Sequence, residues 1–142
     1  MKPHKCIISV LSILLVLTFF TGCGDPDEPG ISEIDWNDKN IRSEQFVTAL
    51  VNGDYTIASS GFDATMTRSL SVRRLAKAWT DTVKVAGAFD SIVSTEEVPN
   101  DEYDIYIVLT RHENMGINTR IVFTEDNQVA GLFFTFVQDI DG

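Results

Sequence analysis

The chain has 142 residues, 44% hydrophobic and 23% charged, which suits one globular domain and leaves no room for two. Its formal net charge is -10 at pH 7, and Lys2 and Lys5 lie ahead of Cys23 while none of the 21 acidic residues does, so the part from Cys23 onward is more acidic still. Phosphate backbones attract basic surfaces, so this balance argues against a nucleic-acid partner and for a solvated acidic surface.

Met1 to Lys5 is a basic n-region, Cys6 to Phe20 an almost unbroken apolar run, and Thr21-Gly22 a small-residue cleavage site. Residues 1–22 therefore read as an export signal. An apolar run of about 15 residues falls short of the roughly 20 that a membrane-spanning helix needs. The run Phe20-Thr21-Gly22-Cys23 resembles the lipobox of bacterial lipoproteins, in which the cysteine after the cut is acylated and becomes the new N-terminus. Thr21, Gly22 and Cys23 fit that pattern, and Phe20 stands where leucine is usual. The resemblance implies that membrane lipid is a partner through acylated Cys23, with palmitate-type chains contributing about 0.8 kcal/mol per buried methylene. It also implies a lipid-anchored place on the extracytoplasmic face of the cell membrane. The competing reading is a cysteine that merely follows a signal. The only other cysteine is Cys6, inside the signal. The folded part thus has no disulfide, no thiol nucleophile and no cysteine-ligated metal site, and its core alone must hold it.

Residues 23–37 turn to Gly, Pro and acid and read as a flexible acidic tether, with Pro26 and Pro29 excluding regular structure. Ile34 and Trp36 mark where the tether meets the domain of residues 38–142; a binding handle is the alternative for Trp36. Asp38 to Asn52 predicts a helix, with Ile41, Phe46, Ala49 and Leu50 near one face and Asn52-Gly53-Asp54 as its stop. Tyr55 to Ser60 predicts a helical turn or two, broken by Gly61. Phe62, Met66 and Leu70 read as core or pocket contacts on an irregular link. Ser71 to Gly87 predicts the strongest helix, capped by Ser71, with Leu75, Trp79, Val83 and Ala86 as its apolar stripe and Gly87 as its stop. Arg73, Arg74, Lys77 and Lys84 on this helix read as a solvated face, with an anion site as the alternative.

Ala88 to Glu96 predicts a first strand and Glu97 to Glu102 a turn. Three further strand signals follow at Tyr103–Arg111, Ile117–Thr124 and Val129–Val137, rich in β-branched and aromatic residues. Short turns near Asn114 to Gly116 and at Asp126-Asn127 force antiparallel neighbours. The expectation is an α+β fold: three helices on a curved antiparallel sheet of about four strands. A two-residue turn at Asp126-Asn127 would pair Phe123 with Ala130 and Ile121 with Leu132. One face then collects Tyr106, Val108, Ile121, Phe123, Leu132, Phe134 and Phe136, the other Ile105, Ile107, Leu109, Val122, Phe133 and Val137. Two apolar faces predict a homodimer through the sheet, or the long helix and the Trp36 segment covering different faces of one monomer.

The matching positions Phe46, Leu50, Gly53, Asp54, Tyr55, Phe62, Asp63, Met66, Leu75, Trp79, Gly87, Tyr103, Phe123, Gly131 and Leu132 carry a further likeness. Over about Ile41 to Val137 the chain resembles a domain of unknown function in the nuclear transport factor two-like superfamily, the cystatin-like α+β roll, found alone in lipoproteins or ahead of α/β-hydrolase domains. No hydrolase function is carried over, since the sequence runs only five residues past Val137. The superfamily holds dehydratases, isomerases and binding modules, and fold alone does not choose among them. Asp63, Tyr106 and His112 are the only set of residues that a superfamily enzyme could use in a cone between sheet and helices. His112 otherwise reads as a surface residue at a hairpin end. No metal-ligand spacing, phosphate loop or G-x-S-x-G elbow occurs, so no cofactor is expected. The sequence thus favours a non-catalytic module that binds an unidentified small ligand or protein at the membrane, with a dehydratase- or isomerase-type enzyme as the alternative.

Overall fold

The computed structural model describes residues 34–35, 37–138 and 140. The export signal, the lipobox with Cys23, most of the tether and Trp36 lie outside the described residues. Four helices, α1 (Lys39–Asn52), α2 (Tyr55–Ser59), α3 (Ala64–Ser69) and α4 (Val72–Ala86), precede four strands, β1 (Phe89–Val98), β2 (Asp104–His112), β3 (Gly116–Phe123) and β4 (Val129–Val137). The strands form one open antiparallel sheet in chain order, and the helices pack on it, an α+β fold as expected.

Local chemistry explains the helix boundaries. Asp38 lies in extended backbone and its carboxylate accepts from the N–H groups of Asn40 and Ile41, satisfying two of the free donors that open α1. Gly53 closes it with φ 79, a left-handed conformation that a residue with a Cβ adopts at a cost. The stretch after Gly61 is not an irregular link. Asp63 accepts from the Met66 N–H at 2.6 Å and caps α3, so Met66 lies in a helix and the count is four rather than three. Ser71 does occupy the cap position of α4, but its side chain makes no cap bond. On α4 Leu75, Trp79 and Ala86 are buried, and Val83 is half-buried.

The sheet departs from the expected register at one point. Ile121 pairs with Leu132 as expected, yet Phe123 pairs with Val129 because a bulge leaves Ala130 without a partner. The connection is longer than two residues. The Thr124 N–H donates to the Gln128 carbonyl at 2.9 Å, the Asn127 N–H donates to Thr124 at 3.0 Å, and Asn127 takes φ 61. The start of β4 is held from its other side, where the Val129 N–H donates to the Gly61 carbonyl and the Asp63 N–H to the Val129 carbonyl.

On the helix-covered face Val108, Ile117, Ile121 and Phe123 are fully buried together with Thr110 and Thr119. The outer face is less apolar than its hydrophobic residues suggest. Asn118, Arg120 and Thr135 lie among Ile107, Leu109 and Phe133, because register places Asn118 between Leu109 and Thr135 and Arg120 between Ile107 and Phe133. Ile140 covers one corner, close enough that a Cβ on Gly116 would meet its Cγ1 at 3.1 Å.

Polar contacts fix α1 to the sheet. Lys39 pairs with Asp104, and the Thr95 hydroxyl donates to Glu44 at 2.9 Å. Arg42, wholly buried, lies 5.0 Å from the centroid of the Phe123 ring and donates through Nη1 to the Asn127 carbonyl at 2.9 Å. Removing it deletes a charge-assisted hydrogen bond and a cation–ring contact in a dry site. Arg42→Ala should therefore lower unfolding free energy by at least about 2 kcal/mol, and Arg42→Lys by less, as read from urea transitions.

Candidate functional site

Two polar clusters and one hollow hold the residues with chemical capacity. The first cluster lies where α1 crosses β1 and β2. Tyr106 faces Glu97 across the β1–β2 ladder and meets Phe123 edge-on at 5.9 Å. Burial first, then the charges of Glu97 and Asp104, push the Tyr106 phenol above its ordinary value. Burial likewise lowers the pKa of Arg42, against the opposing influence of Asp35, Asp38 and Tyr106.

The second cluster sits at the opposite end of the sheet. His112 is 4% exposed, so it is a core residue and not the surface histidine that its hairpin position suggested. Its Nδ1 lies 3.1 Å from the Gly87 carbonyl, which only accepts, so Nδ1 carries a proton. Its Nε2 lies 3.1 Å from the Thr110 hydroxyl. Trp79 and Phe89 meet the imidazole edge-on at 6.1 and 5.7 Å. The ring thereby joins the end of α4 to the end of β2, and the Glu113 and Asn114 N–H groups complete the joint by donating to Ala88 and Ala86.

Asp63, Tyr106 and His112 are not gathered in one place. Asp63 bonds Val129 at the start of β4, whereas His112 follows Arg111, which pairs with Gly116 and through it with Val137 at the end of β4. Eight residues of strand separate those ends, roughly 27 Å at about 3.4 Å per residue. Tyr106 precedes His112 by six residues on β2, roughly 20 Å on the same measure. The Asp63 carboxylate is also committed to capping α3. Among the described residues no group of three or more His, Cys, Asp or Glu could hold a metal ion.

The hollow, of about 440 Å³, opens between the end of α1, α2 and α4 and is lined by Val51, Tyr55, Trp79, Val83, Lys84 and Ala88 among others. Trp79 thus serves both core and hollow, while Phe62 is 6% exposed in the core and Met66 packs half-buried against it. On the outer side of α4 Arg73, Arg74, Lys77 and Lys84 are exposed. Lys77 pairs with Asp81 and its hydrogen bond holds that carboxyl below the usual range. The reading of the sequence missed Arg42. Its one signal was position, a cation one turn ahead of Phe46 on the buried stripe of a predicted helix.

Residues 43–132, well over half of the chain, match the family described as "Protein of unknown function (DUF3887)". The match runs from within α1 to the middle of β4; it spans the His112 cluster and Tyr106 but begins one residue after Arg42. No curated protein and no solved structure matches the chain.

Two expected outcomes follow from these contacts. Gly87 has φ 88 and a Cβ there would lie 2.7 Å from the Cβ of Glu113. Gly87→Ala should therefore lower the unfolding free energy by more than the roughly 1 kcal/mol of backbone strain alone, read as a lower thermal midpoint, and it should expose the Trp79 ring to quenchers. For Tyr106 the folded pKa lies above the unfolded one, so the neutral phenol stabilises the fold fully below the ordinary value of 10.0, and this contribution is lost as pH rises through the folded value. Wild type should show falling stability above about pH 10, and Tyr106→Phe should flatten that slope in denaturant titrations across the range.

Proposed function

The chain belongs to the DUF3887 family of proteins of unknown function, a membership that brings no activity with it, and we propose that it is an exported lipoprotein whose acidic domain acts as a non-catalytic binding or assembly module. Cys23, acylated, anchors the chain at the extracytoplasmic face of the membrane. The observation that carries this reading is the Thr21-Gly22-Cys23 run directly behind a basic n-region and an apolar h-region. Helices followed by a four-stranded antiparallel sheet support kinship with the nuclear transport factor two-like superfamily.

The binding role draws support from the way the reactive side chains are used. Asp63 caps a helix, His112 holds a joint with both ring nitrogens engaged, and Tyr106 lies six residues along β2 from His112. A small ligand would use the hollow beside α4, where Trp79, Val51 and Val83 offer apolar contact and Lys84, paired with Asp81 at 3.5 Å, is the one charged residue of the lining. Such a ligand has an apolar body, and an anionic end on it would compete with Asp81 for Lys84.

The anchor is tested by Cys23→Ser. Wild-type chain should partition into detergent and give a mass increased by lipid. The variant should accumulate as an uncleaved precursor without incorporated acyl label. Wild-type protein found in the aqueous phase, with an N-terminus other than Cys23, overturns the lipoprotein reading.

A further inference from the structure

We propose that the free edge of β4 pairs with β4 of a second copy of this chain, antiparallel, so that the two sheets join into one. The two edges of the sheet are chemically unlike. Edge strand β1 carries Asp90, Glu96 and Glu97 and is broken by two register shifts, both of which hinder strand addition. Edge strand β4 reads VAGLFFTFV, with no charged residue and no proline. In a chain of net charge -10 an uncharged strand is where a second, equally acidic copy can approach without placing like charges opposite one another.

Both edge strands expose apolar residues, Phe89 and Val93 on β1 and Phe133 and Phe136 on β4, and the two phenylalanines of β4 are the more exposed. Phe133 is 57% exposed on the outer face and Phe136 48% on the other. Gly61 and Asp63 already occupy the edge at Val129, and Ala130 is the bulged residue, which leaves Gly131–Val137 without a second strand partner among the described residues. The midpoint of that stretch is Phe134. Antiparallel pairing about it sets Phe133 across from Thr135 of the second copy, Leu132 across from Phe136 and Gly131 across from Val137. Each of these pairs matches a larger side chain with a smaller one on one face of the sheet. The β1 edges stay outermost, where their acids and register shifts disfavour further strand addition, so the assembly closes at two copies and does not run on as a fibre. The pairing does not depend on the anchor.

The test uses the full mature chain in detergent, with mass from sedimentation and disulfide capture under mild oxidation. The folded part has no cysteine, so wild type is the control. Edge pairing predicts a dimer, a mixed disulfide when Phe133→Cys and Thr135→Cys chains are combined, and none from Asn118→Cys, which lies one strand in on β3. Phe133→Lys with Thr135→Lys should return the mass to that of a monomer while far-UV dichroism stays native. A monomeric wild type overturns the proposal. So does a dimer that Asn118→Cys captures, or one that survives the paired lysines, since either places the contact on the sheet face or elsewhere.

Discussion

The position of α1 depends on the burial of one guanidinium. A buried cation costs several kcal/mol unless its environment replaces the lost water. Arg42 meets that requirement with groups drawn from three parts of the chain: the Phe123 ring at the end of β3, the Asn127 carbonyl in the β3–β4 loop, and the charges of Asp35 and Asp38 ahead of the helix. These groups cannot be moved independently. Asp38 caps the helix that carries Arg42, so helix start, loop geometry and strand end are fixed together. The left-handed Asn127 in that loop is part of the same solution, because the chain must turn there for its carbonyl to face Arg42.

The remaining helices are held by different devices. α2 and α3, of five and six residues, are too short to be stable alone. They persist because Ala58 and Phe62 are buried and because Gly61 and Asp63 exchange backbone hydrogen bonds with Val129. α4 is then tied to the far end of β2 through His112, Gly87 and the Trp79 ring. With no cysteine in the folded part, these polar joints do by geometry what a disulfide would do by covalent constraint, and the apolar core between them supplies the bulk of the stabilisation.

Elements dominated by a repeating local pattern were legible in the sequence. The 3.6-residue stripe of Leu75, Trp79 and Ala86 and the β-branched runs of the last three strands gave the helix, the meander and the fold class, because period and propensity act over neighbouring residues. What failed to show depended on single contacts. The α3 cap needs only one Asp63 side chain bonding one N–H, and the β4 bulge follows from a loop whose closure Thr124 and Gln128 share. His112 looked exposed because it ends a strand. Its burial comes from Trp79, 33 residues away in sequence, and from Phe89, which no local pattern links to it. Counting only apolar residues on the outer face likewise hid Asn118, Arg120 and Thr135, whose placement comes from register across three strands.

The same register bears on how such an acidic domain meets anything else. Repulsion between two copies, or between one copy and anionic headgroups, acts over about a Debye length of 8 Å at physiological salt, so contact is favoured only where acids are absent locally. β4 with the outer-face patch beside it meets that condition, since Arg120 is the only charged residue among Ile107, Asn118, Phe133 and Thr135. The hollow beside α4 meets it less fully, because Lys84, the one charged residue of its lining, is paired with Asp81 at 3.5 Å. The β4 patch lies apart from the clusters around Arg42 and His112, whose polar groups are already committed to holding the fold, whereas the hollow shares Trp79, Gly87 and Ala88 with the His112 joint. On the outer face stability and recognition are therefore assigned to different residues, and substitutions at Phe133 or Thr135 can change partners without loosening the joints that hold the helices, whereas in the hollow Trp79 and Gly87 belong to the His112 joint as well.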